Sequence, residues 1–135
     1  MPTLDDMFAA AAAARAKAYA PYSHFFVGAA ILGPDGTIHA GCNIENAAYP
    51  EGTCAEAGAI AHMIMAGTTK LIEIAVVGGP ENGGEILCPP CGGCRQKLRE
   101  FGGLQAKVHL RETDGRVRTF RVEELLPVSF GPEHL

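Results

Sequence analysis

Two cysteines stand three residues apart in Pro90-Cys91-Gly92-Gly93-Cys94, behind a second proline and ahead of the helix-forming run "RQKLREF". Residues three apart on a helix share a face, and the unpaired amides of a helix start favour thiolate over thiol. Such a pair suits Zn(II). A third thiol, Cys54, also stands at a predicted helix start, after the polar stretch "NAAYPEGT". Two helices docked side by side on one sheet can aim their N-termini, and with them three thiols, at a common point. Glu56 follows Cys54 by two residues, close enough to reach a fourth position on the metal but badly placed to be another ligand. A zinc ion with three protein ligands keeps that position for water and lowers the pKa of the water. A carboxylate beside it can take the proton and hand it on.

Other readings of the same residues stand beside this one. One C-x-x-C also suits a redox pair, although that expects the pair directly behind an early strand; here it follows a late Gly/Pro loop. Cys88, in "CPPCGGC", could add a fourth sulfur and close the site into a structural one. Pro89 and Pro90 extend the chain there, which carries Cys88 away from the face of Cys91 and Cys94. Cys42, at a strand end, is not expected as a ligand. Taken alone, Glu56 could be an ordinary helix-start carboxylate. His62, Met63, Ile64 and Met65 read as surface or packing residues.

The elements that position these groups can be read along the chain. Thr3 as N-cap with Asp6 in the capping-box position opens an alanine-rich helix that runs until Pro21. "FFVGAAIL", the turn "GPDG" and "TIHAGC" form a hairpin ending at Cys42. "CAEAGAIAHMIMAG" is a helix with Gly67 at its stop; "LIEIAVVGG" is a third strand; "CGGCRQKLREFGG" is a helix. "AKVHLR" and "RVRTFRV" flank the turn "TDG", and "EELLP" closes as a short helix. The pattern predicts a single α/β domain over residues 1–135, three layers α-β-α around a mixed five-stranded sheet.

With 135 residues, 47% of them apolar, the chain can bury one proper core and has no room for two catalytic domains. Its formal charge of -4, 15 acidic against 11 basic groups with no adjacent Lys or Arg, offers no footprint for a nucleic-acid backbone. No apolar window reaches the roughly 18 residues of a bilayer span, and "MPTLDDMFAA" lacks the features of an export signal. A cytoplasmic protein without a membrane partner is expected. Five cysteines, an odd count, argue against a disulfide framework.

"CAE" followed by "PCGGC" has the form of the zinc nucleoside and base deaminase signature. With "PYSHFFVGAA", "GCNIENAAYPEGTCAEA", "PCGGCRQ" and "EELLPVSFGPEHL", nearly the whole chain resembles the small homotetrameric cytidine deaminases. The resemblance implies that Cys54, Cys91 and Cys94 hold one Zn(II) per subunit and that Glu56 shuttles protons. It implies that Asn43 and Glu45 bind the ribose hydroxyls, Glu45 accepting from the 3'-hydroxyl. Phe25 would stack near the base, and the main chain at Ala55 would serve the pyrimidine carbonyl. Tyr49 and Phe130 would be lent to the pocket by a neighbouring subunit of a homotetramer. The implied reaction is attack of zinc-bound hydroxide at C4 of cytidine or deoxycytidine, with Glu56 protonating N3, to give the uridine product and ammonia for pyrimidine salvage.

Three points stay open in the sequence. Phe25 and Phe26 adjoin in a strand and so face opposite sides, and nothing local chooses between them. Asn43 and Glu45 could form a polar clamp for a diol or a solvated turn. Members with three cysteine ligands commonly carry an arginine after the glutamate, where this chain has Ala57. Arg95 or another nearby cation, with the two helix starts, is then expected to do part of the work of balancing the thiolate charge. The "CAEA" form is shared with blasticidin S deaminases, so a related deaminase is one alternative and a non-catalytic structural zinc module is the other.

Overall fold

A computed structural model describes all 135 residues. The first helix, α1 (Leu4–Arg15), opens on the capping box read from the sequence. The Asp6 amide donates to Thr3 Oγ1 at 3.1 Å and the Thr3 amide donates to the Asp6 carboxylate at 2.8 Å. The helix does not run on to Pro21 as expected; it ends after Arg15. Tyr19 leaves it to pair with the chain near Ile44, donating to Asn43 O at 3.0 Å and accepting from the Glu45 amide at 2.8 Å. Those partners are distant in sequence, so helix propensity alone could not reveal the competition.

Strands β1 (Phe25–Leu32) and β2 (Ile38–Cys42) form the expected hairpin. Helix α2 (Ala55–Met65) precedes β3 (Glu73–Pro80), and α3 (Gly92–Gly102) precedes β4 (Lys107–Arg111). Strand β5 (Val117–Arg121) and the short α4 (Val122–Leu125) follow. The five strands make one mixed sheet in the order β2-β1-β3-β4-β5, with β3 and β4 its parallel pair. None of the helices is long and apolar enough to cross a membrane.

The near-continuous apolar runs of β1 and β3 follow from burial of both sheet faces. On one face Ala30, Leu32, Ala75 and Val77 pack with Met7, Phe8 and Ala11 of α1. On the other, the alternate residues Ala29, Ile31, Ile74 and Val76 pack with Ala59, Met63 and Leu98 of α2 and α3. Small residues let the helices sit directly on strands. A Cβ at Gly28 would stand 1.9 Å from Ala11 O, and one at Gly41 would stand 2.3 Å from Ala59 N.

This topology places the site. Strands β2 and β3 are both antiparallel to β1 and therefore run in the same direction. Phe25 opposite Pro80 and Gly28 opposite Cys42 put the exits of both strands at one end of the sheet. The helices that return from those exits begin there.

Candidate active site

Cys54 is the N-cap of α2 and Cys91 the N-cap of α3, with Cys94 in the first turn behind it. Their three Sγ atoms lie within 4.8 Å of one another. Zinc–sulfur bonds of about 2.3 Å at tetrahedral angles fit that spacing, and thiolates are donors zinc prefers. Cys88 stays outside the cluster, as the two prolines suggested, and so does Cys42. Cys54 and Cys91 are exposed while Cys94 is buried, so the cluster is open on one side.

The cluster borders a cavity of about 360 Å³ lined by Glu56 and Ala55, Asn43 and Glu45, Tyr49, and the wall residues Val27, Cys88 and Pro89. Glu56 is 4% exposed. Burial raises its carboxyl pKa, with its own amide, the Cys94 thiol and Lys97 pulling the other way. Burial likewise raises Cys54 and Cys94, whereas the Cys94 amide lowers Cys91. A divalent cation among the three sulfurs would bring all of them to the thiolate. Cys88, pushed up to about 11 chiefly by burial, is a neutral wall residue.

Asn43 and Glu45 reach the cavity from a segment folded back on itself. Ile44 and Thr53 exchange main-chain hydrogen bonds of 2.9 and 2.8 Å, which brings the strand exit alongside Cys54. Asn43 extends the ladder beyond β2: Oδ1 accepts from the Val27 amide at 2.8 Å and Nδ2 donates to Phe25 O at 2.9 Å. An amide has one further donor and one further lone pair to offer a ligand. Glu45 accepts from the amides of Tyr22 (3.0 Å) and Ser23 (3.1 Å), and from the Ser23 hydroxyl, which chiefly holds its carboxyl below the usual range.

The β1 ambiguity resolves by register. Gly28 faces α1, so Phe26 does too, beside Ala12 and Ala16, while Phe25 shares the face of Val27. Phe25 does not itself line the cavity. Its ring and Cys88 Sγ both close over Gly78, at 3.3 and 2.7 Å from where a Cβ there would be, so it backs the cavity wall. Phe130 lies away from its own chain's cavity, 57% exposed. Tyr49 stands at the rim, 75% exposed.

Arg95, named with the thiolate charge in mind, turns its guanidinium to two main-chain carbonyls. Its Nε donates to Pro90 O and its Nη1 to Leu125 O, both at 2.8 Å. Lys97 is instead the cation whose field acts on Glu56. The reading of the sequence missed Val27, Cys88 and Pro89 as walls and Tyr22 and Ser23 as the support of Glu45. The block "PYSHFF" held the signal for the last two.

A three-thiol cluster open to a cavity, with a buried carboxyl group beside it, places the protein among α/β hydrolytic zinc centres and apart from closed structural ones. The model of the cytidine and deoxycytidylate deaminase zinc-binding region matches residues 1–110. A cytidine deaminase from Sporosarcina psychrophila is 41% identical over 132 residues, covering 98% of this chain and 94% of the relative. One from Mycobacterium tuberculosis is 42% identical over 122 residues, covering 90% and 85%. The crystal structure of a cytidine deaminase from Burkholderia pseudomallei superposes with a TM-score of 0.87 at 42% identity, over 96% of this chain and 100% of that one. The chain belongs to the cytidine and deoxycytidylate deaminase family.

Proposed function

We propose that this protein hydrolyses the 4-amino group of cytidine and deoxycytidine, releasing ammonia and leaving uridine and deoxyuridine. Convergence of Cys54, Cys91 and Cys94 within 4.8 Å beside the buried Glu56 carries the reading. The three thiols would hold one Zn(II) per subunit, which when bound supplies Lewis acidity and a water of lowered pKa.

The chain's own groups account for the remaining steps. Glu56 takes a proton from the attacking water and delivers it to N3 of the ring, which makes C4 electrophilic, and then carries a second proton to the departing amine. A carboxyl group whose pKa burial raises is suited to holding a proton between those transfers. The Ala55 amide, at the first position of α2, has no acceptor within its helix and is free for the pyrimidine carbonyl. Asn43 and Glu45 turn their remaining hydrogen-bonding capacity to the ribose hydroxyls. The cavity of about 360 Å³ is of a size suited to a nucleoside. Phe25 steadies the wall against which the base lies. Tyr49 and Phe130, both exposed, complete pockets across the interfaces of a homotetramer working in the cytoplasm.

Replacement of Glu56 by Gln tests this directly. Turnover of cytidine should fall by about 10²–10⁴-fold while zinc content stays at that of the parent. A variant that keeps its turnover would overturn the assignment. Cytosine and blasticidin S, assayed beside cytidine and deoxycytidine, should be poor substrates, and a preference for either would redirect the substrate assignment.

A further inference from the structure

Helix α3 does more than carry Cys91 and Cys94, because the turns behind them hold the last residues of the chain. Gln96 Nε2 donates to Phe130 O at 2.9 Å. Arg99 Nε donates to Ser129 Oγ at 2.6 Å, and its Nη1 and Nη2 grip the two oxygens of Glu133 at 3.1 and 2.8 Å. Arg99 is 7% exposed although it is an arginine. Gly131 lies flat on its guanidinium, and a Cβ there would come within 1.6 Å of Nη1.

The chain reaches this arrangement through an unfavourable bend. Val128 has φ 51 and is fully solvent-exposed. A β-branched residue in the left-handed region is strained, and such strain persists only where the surroundings over-determine it. No burial of the Val128 side chain offsets it. What the bend achieves is the pose of Phe130, whose ring points outward and stacks on His134 at a centroid distance of 5.0 Å and an angle of 23°. The Arg99 guanidinium holds the Glu133 carboxyl at about 2, so the pair remains ionised throughout the neutral range.

We propose that Arg99, through its fork onto Glu133 and Ser129, is a positioning residue that fixes the exposed Phe130–His134 pair for insertion into the cavity of a second copy of the chain. This rests on the reading that Phe130 completes a neighbouring pocket. It adds that the same helix serves two sites, its first turn contributing thiols to one cavity and its middle aiming an aromatic ring at another. A bidentate fork fixes direction as well as distance, which an ammonium could not do.

The test is a mutant cycle in the assembled enzyme, with Phe130→Ala, Arg99→Gln, Glu133→Ala and the double variants Phe130→Ala/Arg99→Gln and Phe130→Ala/Glu133→Ala. Phe130→Ala should raise KM for cytidine by about tenfold with kcat little changed, the pattern of lost substrate binding. Arg99→Gln and Glu133→Ala should each raise KM by about threefold or more, Arg99→Lys should restore only part of it, and zinc content should not move. In the double variants the second change should add less than about twofold, because both act through one ring. If Phe130→Ala raises KM and the clamp variants do not, or if their effects add in full, the role of Arg99 is overturned while that of Phe130 stands. If Phe130→Ala leaves KM unchanged, the reading beneath it falls as well. Should Arg99→Gln fail to fold, the Glu133 variants decide, since that side chain is 56% exposed.

Discussion

Replacing Gly41 by Ala adds one methyl group between β2 and α2. It would stand 2.3 Å from Ala59 N, 2.6 Å from the Gly58 carbonyl carbon and 2.8 Å from Ala55 O. All three are main-chain atoms, so no side chain can swing aside. Ordinary contact begins at 3.4 Å, and the start of α2 must therefore withdraw by 3.4 − 2.3, about 1.1 Å. That stretch bears Cys54 at its cap and Glu56 in its first turn. A misplacement of about 1 Å can cost about 10²-fold in rate. Overpacking of this kind costs about 1–3 kcal/mol, which for a chain of this length lowers Tm by about 3–10 °C. Steady-state kinetics on cytidine, calorimetry and zinc analysis read the three effects. The variant should fold, melt earlier, turn over about 10²-fold more slowly and release zinc more readily. Gly84→Ala, whose methyl group meets nothing within 4 Å, is the control and should match the parent. A Gly41→Ala enzyme with parental kcat and Tm would refute the account of how α2 is seated and of what its position contributes.

Two further perturbations address other parts of the fold. His39, on β2 beneath α2, is 2% exposed, has no partner for Nε2 and meets His62 edge-on at 5.5 Å. Burial, then the neighbouring His62, lowers its pKa, with Asp35 opposing. Between the unfolded value of 6.5 and that lower folded value the unfolded state binds more protons, so stability is full above 6.5 and falls as the pH drops below it. His39→Leu should lose less Tm than the parent between pH about 7 and about 5.5; equal losses would show that His39 does not contribute. Arg95→Gln removes charge-assisted bonds to Pro90 O and Leu125 O, each worth about 1.5–3 kcal/mol. Zinc should pass to a chelator faster than from the parent, and an unchanged rate would show that the Pro90 tether does not help hold Cys91.

What could be read from the sequence was what local chemistry determines. The capping box of α1, the hairpin and the helix starts at Cys54 and Cys91 rest on neighbours within a few residues, and they stand in the structure as expected, the two cysteines as N-caps. The end of α1 could not be read that way, since Ala16 and Lys17 are good helix formers. The helix loses to hydrogen bonds offered by Asn43 and Glu45, whose approach depends on the whole sheet. The period of two along β1 placed Phe25 and Phe26 on opposite faces. Only the contact of Gly28 with α1 says which face is which. For Cys88 the proline argument put it outside the thiol cluster, where the structure has it too, yet its place in the cavity wall comes from contact of its loop with Gly78 on β3. Arg95 adjoins Cys94 along the chain, but the carbonyl that engages its Nη1 belongs to Leu125, which only the fold brings near.

Asn43 and Glu45 show why substrate-facing residues of this kind resist reading in isolation. Their side chains continue the sheet where strand pairing stops, Asn43 bonding the main chain on either side of Phe26 and Glu45 gathering the Tyr22 and Ser23 amides. The same two residues face the cavity. A polar group that is already fixed by bonds to the backbone loses little freedom when a ligand arrives, so its remaining donors and acceptors are preorganised. Sequence patterns alone assign such residues to a turn, because a turn is what their local hydrogen bonds resemble. The placement that makes them a clamp arises only when β1, the folded-back segment and the start of α2 meet. The mutual main-chain pairing of Ile44 with Thr53 brings the last two of these together.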